Sequence, residues 1–515
     1  MKVDLFSRAT FPIRTGPLLT QRKGAPWLAL PPRADNTPQF RWLGSAIRDA
    51  ILGGRLRPGT RLPSTRELAR QYRLSRGTIV SAFDQLRAEG YVTGSVGSGT
   101  FVSRVLPDEL LHVRRAAGRV SPARKQSRRT LSDFARRVAP FPEREVGPVR
   151  AFRANLPALD LFPSTLWAQV ASRRLRRAST QLLRGGAPVG YRPLQDALAD
   201  YLTTARGVNC TAEQIVIVSG VQEALDLVAR VVLDTQDRVC MENPGYIGAS
   251  LVFEAVGARL IPHTVDDEGV QLPRGQARGA RLAYMTPAHQ FPLGISMSLT
   301  RRLAWLEWAR STNALIFEDD YDSEYRFSGR PVPALQGLDS HGVVLFAGSF
   351  NKVLFPSLRV GYLVVPSDLV DVIVATKSVG SRHVPLLDQA VLSDFMAEGH
   401  FGRHVRRMRE VYAGRRALLL EFAERYLRGM LTITGVEAGL QTAGWLLDDV
   451  DGETVARAAA EHDVEVTPLS RFASGPLTQE GLQLGFAAVE DAEFRRGVRD
   501  LAASLESLRR NNAKT

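Results

Sequence analysis

Two kinds of periodicity divide the chain. Near the N-terminus Leu43, Ile47, Ala50 and Ile51 fall at helical spacing and predict a first helix, stopped by Gly53 and Gly54. A second helix opens after Ser64, whose hydroxyl is suited to cap it, and Glu67 three residues on completes a capping box. Ser75 caps a third helix from Arg76 to Leu86, with Val80, Phe83 and Leu86 expected in a core and Arg76, Gly77 and Thr78 on an exposed first turn. Residues 91–102 read as two short strands around a glycine-rich turn. Three helices and a hairpin in this order predict a winged helix-turn-helix, whose last helix reaches base edges with its N-terminal turn.

From about residue 152 the pattern changes. Short apolar runs at 215–218, 238–241, 282–285, 314–317, 343–346 and 362–365 alternate with amphipathic helical stretches. Continuous apolar strands between helices predict an α/β fold with a mostly parallel sheet covered on both faces. The expected division is an extension over 1–36, the winged helix over 37–104, a linker over 105–150 and the large domain over 151–510. The linker is assigned from Arg114, Arg115, Arg119, Arg124, Lys125, Arg128, Arg129, Arg136 and Arg137 with interspersed prolines.

Charge sharpens this picture. The 515 residues carry a net charge of +14, which favours a polyanionic partner, nucleic acid or an anionic membrane. Arg55, Arg57, Arg61, Arg66, Arg70, Arg73, Arg76 and Arg87 crowd the predicted winged helix. No apolar run approaches the ~20 residues that span a bilayer, which counts against the membrane. Arg8 and Arg14 interrupt any signal-peptide core. Cys210 and Cys240 have no C-x-x-C spacing, which excludes a disulfide scaffold and a cysteine-based zinc site and fits a reducing cytoplasm.

The candidate chemistry lies at predicted strand ends. Ser219, Gly220, Val221 and Gln222 stand where a strand gives way to a helix, a place suited to phosphate. Tyr246 follows Asn243-Pro244-Gly245, where a ring can stack on a flat ligand or simply pack a turn. A strand runs into Glu318-Asp319-Asp320-Tyr321-Asp322. Another leads to Ser349-Phe350-Asn351-Lys352, seven residues before Arg359. Burial of such a lysine would favour the neutral amine that forms a Schiff base.

Residues 39–102 resemble the GntR family of winged-helix regulators. That resemblance implies DNA contacts from Ser64, Arg66, Ser75, Arg76, Thr78 and Gly97. Residues 152–508 resemble fold-type I, class I aminotransferases, above all through 286–294, 318–325 and 346–361. The combination is similar to the MocR subfamily, in which a GntR winged helix is fused to such a domain. The resemblance adds a smaller C-terminal α/β subdomain to the expected fold. It implies pyridoxal 5'-phosphate (PLP) on Lys352, Asp319 at the pyridinium nitrogen and Tyr321 at the phenolic oxygen. Arg359, Ser349 and the amides near Gly220 would hold the phosphate, and Tyr246 would stack on the ring. Tyr191 resembles a tyrosine that reaches the phosphate of the partner subunit, implying a homodimer.

Two departures bear on the ligand. Asn351 precedes the lysine where serine is common. Gln483 lies near where many aminotransferases place the arginine that holds a substrate carboxylate, and a neutral amide lacks that forked charge. Arg471 is a substitute candidate, and His289 and Gln290 are further candidates for effector contact. The expected function is a cytoplasmic regulator of double-stranded operator DNA that senses PLP or a small amine or amino acid as an external aldimine. The alternative is a working aminotransferase with an attached DNA-binding domain.

Overall fold

The computed structural model describes residues 28–33, 37–95, 99–104, 129–141, 147–273, 279–327, 333–433, 437–448 and 450–512. The chain divides into two compact units, Met1–Arg128 and Arg129–Thr515.

The first unit holds helices α1 (Gln39–Leu52), α2 (Thr65–Tyr72) and α3 (Arg76–Ala88) and a hairpin of β1 (Val92–Ser95) and β2 (Gly99–Val102). Local chemistry sets the helix starts. Ser64 Oγ accepts from Glu67 N while a Glu67 carboxylate oxygen accepts from Ser64 N, the reciprocal capping box. Ser75 Oγ accepts from Thr78 N (3.0 Å) at the start of α3. The core gathers Leu43, Ile47, Leu68, Ile79, Phe83, Leu86, Val92 and Val102.

Two expectations change here. Val80 is exposed, and Ile79 and Ala82 take the buried places. One residue on a helix is a turn of ~100°, so the stripe through Phe83 and Leu86 passes through Ile79 at i−4 and i−7 and leaves Val80 off the seam. The extension also contributes to the core. Tyr72 Oη donates to Leu28 O (2.7 Å) and accepts from Leu28 N (2.8 Å), Leu28 is buried, and Trp42 Nε1 donates to Pro31 O (2.9 Å).

Most of the expected linker, 105–128 and 142–146, lies outside the described residues. Within it, Ser132 caps a short helix, Asp133–Arg137, and Arg137 Nε donates to Ala255 O (3.1 Å). That stretch belongs to the second unit and is exposed along its length.

The second unit is built on an eight-stranded sheet. Its strands are β3 (Ile215–Val218), β4 (Arg238–Asn243), β5 (Arg259–Asp266), β6 (Gly269–Val270), β7 (Ala280–Met285), β8 (Leu315–Asp320), β9 (Val344–Ser349) and β10 (Gly361–Val364). The order is β3-β10-β9-β8-β7-β4-β5-β6. Strands β9, β8, β7, β4 and β5 are parallel, and β10 and β6 run antiparallel to their neighbours. Alternate residues serve opposite faces. Val216 and Val218 pack with Leu225, Val228 and Phe253 on one side, while Ile215 and Ile217 pack with Leu194, Leu198 and Leu202 on the other.

A smaller antiparallel sheet follows, β11 (Leu431–Ile433), β12 (Gln441–Leu446), β13 (Thr467–Pro468) and β14 (Gly481–Gly485), in the order β11-β12-β14-β13. Leu446, Leu482 and Leu484 on one of its faces pack with Val455, Phe494 and Val498 of the helices Gly452–Ala460 and Asp491–Asn512. The other face, bearing Gln441, Ala443 and Gln483, is turned from that core.

Candidate DNA interface and cofactor site

On the first unit Arg66 stands in the opening turn of α2 and Arg76 in that of α3, both exposed. Ser64 and Ser75, the two caps, are also exposed, and Ser75 Oγ lies 2.8 Å from Thr78 Oγ1. The positive ends of two helices and two guanidinium groups thus belong to one helix-turn-helix, a donor set suited to phosphates and base edges. Gly97 lies outside the described residues.

On the second unit the carboxyl ends of the central strands converge, the usual place for a ligand in such sheets. Asp319 is the penultimate residue of strand β8 and is 5 % exposed. Its Oδ2 accepts from Tyr284 Oη (2.7 Å), and its buried Oδ1 meets no hydrogen-bond donor among the described residues. Burial pushes the Asp319 carboxyl up to about 7. Lys352 follows β9, and its Nζ donates to Asn155 O (2.7 Å) and Asn155 Oδ1 (3.0 Å). Asn155 is itself held by its amide, which donates to Gln441 Oε1 (2.9 Å).

A cradle forms at the end of β3. Gly220 has φ 133°, which requires glycine, and it N-caps the helix Val221–Val232. A side-chain carbon there would stand 3.6 Å from both Arg359 Nη1 and Asn351 Nδ2. Arg359 reaches this point because β10 pairs with β3, Gly361 opposite Val218. Glu223 fixes the turn, accepting from Ser219 N (2.5 Å) and from buried Lys377 Nζ (2.5 Å). Ser349 Oγ accepts from Asn351 N (3.2 Å), and Gln222 Nε2 donates to Tyr246 Oη (3.0 Å). Beyond β8, His289 Nδ1 lies 3.0 Å from both Asp322 Oδ1 and Tyr321 Oη.

Other predicted residues are placed differently. The Gln290 amide is consumed in bracing the chain: Nε2 donates to Phe291 O (2.6 Å), Pro244 O (3.0 Å) and Glu242 (3.2 Å), and Oε1 accepts from Leu293 N (3.2 Å). Arg471 is more than half exposed and holds Glu453 through two bonds of 2.6 Å. Gln483 is buried on β14, and its Nε2 has no hydrogen-bond partner among the described residues. Tyr191 N-caps the helix Arg192–Arg206, and its amide donates to Gln389 Oε1 (2.8 Å).

Residues 43–102 match the family model "Bacterial regulatory proteins, gntR family", and residues 152–501 match "Aminotransferase class I and II". The "Probable rhizopine catabolism regulatory protein MocR" of Rhizobium meliloti is 39% identical over 93% of this chain and 96% of its own length. The chain belongs to the MocR-type regulators of the GntR family. Another relative, the "HTH-type transcriptional regulator TauR" of Rhodobacter capsulatus, is 31% identical over 92% of this chain and 98% of its own. LysN, an α-aminoadipate aminotransferase of Thermus thermophilus, is 27% identical, with a TM-score of 0.67 over 74% of this chain and 98% of that one.

As a MocR-type protein the chain is a DNA-binding transcription regulator with an aminotransferase class I/II domain. Among the described residues no helix is long and apolar enough to cross a membrane. Tyr284, Asn155 and Gln441 belong to the site without being singled out by the sequence. Tyr284 was within reach of pattern, since it lies opposite Phe317 on the neighbouring strand, two residues before Asp319 on the same face. Asn155 carries no local signal, because 197 residues separate it from Lys352.

Proposed function

We propose that the second unit binds PLP at Lys352 and receives a small amine or amino acid there, and that this event alters operator binding by the winged helix. The observation that carries the reading is Asp319 Oδ1, a buried carboxylate oxygen that meets no donor among the described residues, in the site of the Lys352 amine. A carboxylate so placed is costly to keep ionised, and a protonated ring nitrogen is the donor it lacks. When bound, PLP supplies an aldehyde that condenses with amines and a ring that withdraws electrons.

The chain's own residues do the rest. Asp319 holds the ring proton, with Tyr284 fixing its second oxygen. Arg359, Ser349, Asn351 and the amides of Gly220 and Val221 take the phosphate, and Tyr246 covers the ring. Tyr321 gives a hydroxyl to the phenolic oxygen, backed by His289 and Asp322. Asn155 points the lysine amine. The operating form is a homodimer in the cytoplasm, each winged helix taking one half-site of double-stranded DNA. Tyr191 supports this through its resemblance to a tyrosine that reaches the phosphate of the partner subunit. Intact Lys352, Asp319 and Tyr321 also favour a second reading, an active aminotransferase with an attached DNA-binding domain.

The test has two arms. Borohydride should trap a PLP adduct on the wild type, and Lys352→Ala should lose both the adduct and the visible absorbance. Operator selected from random DNA should then be titrated by fluorescence anisotropy with and without PLP and a panel of amines. Coupling typically amounts to about 1–3 kcal/mol and is reciprocal. If no ligand moves operator affinity while an amino donor is consumed rapidly, the second reading replaces the first.

A further inference from the structure

The face of the small sheet that does not join the core carries a line of side chains leading from the lysine. Gln441 holds the Asn155 amide through Oε1, and Asn155 holds Lys352 Nζ. Gln441 Nε2 is buried and meets no acceptor among the described residues. Directly opposite Gln441 on β14 is Gly485, which has no side chain, and two residues along the same face is Gln483, opposite Ala443. Two residues of strand span ~7 Å, the scale of a small amine held at Lys352 by its nitrogen.

Gln483 is 1 % exposed, yet its Nε2 meets no acceptor among the described residues. A buried amide of this kind calls for an oxygen. The amide is neutral, so it satisfies a hydroxyl or carbonyl oxygen without compensating a full negative charge. A carboxylate buried here would need a cation, and Arg471, the arginine of the neighbouring segment Leu469–Phe472, is committed at the surface to Glu453. We infer that Gln483 selects an amine whose far end bears neutral oxygens, an amino alcohol, over one that bears a carboxylate. This inference rests on the amine-receiving role of Lys352 and names the class of amine.

The test uses the full-length, PLP-loaded protein and two matched pairs, serinol against L-serine and 4-amino-1-butanol against γ-aminobutyrate. Half-saturating concentrations are read from the visible spectrum and divided by those for free PLP with the same amine, which removes differences in amine basicity. Wild type should favour the alcohol in at least one pair by about tenfold, the worth of one well-made neutral hydrogen bond. Gln483→Leu should lose that preference, and Gln483→Arg should shift it toward the carboxylate. Retained borohydride trapping at Lys352 shows that each variant is folded and loaded. A carboxylate preference in both pairs, or an unchanged alcohol preference in Gln483→Leu, overturns the assignment while leaving the cofactor reading intact. If no amine perturbs the spectrum of protein that carries the Lys352 adduct, the amine-receiving role falls, and this inference with it.

Discussion

Replacing Asp319 by asparagine isolates the cost of a carboxylate at the end of β8. Burial raises this group from 3.8 to about 7. A folded-state pKa above the unfolded one means the folded chain holds the proton more tightly. Stability from Asp319 is therefore complete below about pH 3.8, falls as pH rises, and reaches its floor above about pH 7. At 1.36 kcal/mol per unit the whole loss is about 4 kcal/mol, and roughly half of it falls between pH 5.5 and pH 8. Asparagine keeps the shape and an acceptor for Tyr284 but does not ionise. The cofactor-free variant should thus gain on the wild type by about 2 kcal/mol more at pH 8 than at pH 5.5. For a unit the size of Arg129–Thr515 this is about 2–3 °C in the calorimetric transition. Comparing the two proteins at each pH cancels Glu318 and Glu324, both raised to about 7. Glu242, raised to about 7 by burial and in part by the Asp319 charge, is relieved by the substitution and adds to the variant's gain at high pH. Saturating PLP should then reverse the order at pH 8, because the ring N–H meets Oδ1 only in the wild type. A difference that does not vary with pH, or equal stabilisation of both proteins by PLP, would refute the argument.

Two predictions concern the first unit. Arg76→Ala should cost ~1–3 kcal/mol of operator affinity and relax specificity at one base pair if it reads a base, as measured by anisotropy against single-site operator variants. If it holds phosphate, binding should fall evenly across sequences with the log–log salt slope shallower by ~0.9, and unchanged affinity in both Arg66→Ala and Arg76→Ala would remove the proposed surface. Ser75→Ala leaves Thr78 N without its cap and should destabilise the winged helix by about 1 kcal/mol in urea unfolding. A loss below a few tenths would show that the cap is not holding α3.

What could be read along the chain was whatever its own neighbourhood determines. The caps at Ser64 and Ser75 are three-residue patterns, and the structure closes both. The central strands announce themselves because burial on both faces leaves no polar positions, as in Ile215–Val218. Strand β5 is harder, with exposed Arg259 and Pro262 and with His263 among its buried positions, because it lies near the sheet edge with only β6 beyond it. Lys352, Asp319 and Arg359 were legible as strand-end residues in apolar surroundings. Their holders were not: the tie from Lys352 through Asn155 to Gln441 joins three distant parts of the chain. Gln290 and Arg471 illustrate the converse, polar side chains whose appearance in the sequence suggests availability and whose bonds in the fold remove it.

The clasp between Tyr72 and Leu28 has a practical side for anyone who would cut this molecule into parts. Helical pattern alone suggests a minimal DNA-binding fragment that begins at Gln39. Such a fragment would strand the Tyr72 hydroxyl, which serves both the amide and the carbonyl of Leu28, and would open the side of the core that Leu28 covers. The natural seam of the winged helix therefore lies upstream of Leu28, and its position is marked by a tyrosine 44 residues downstream.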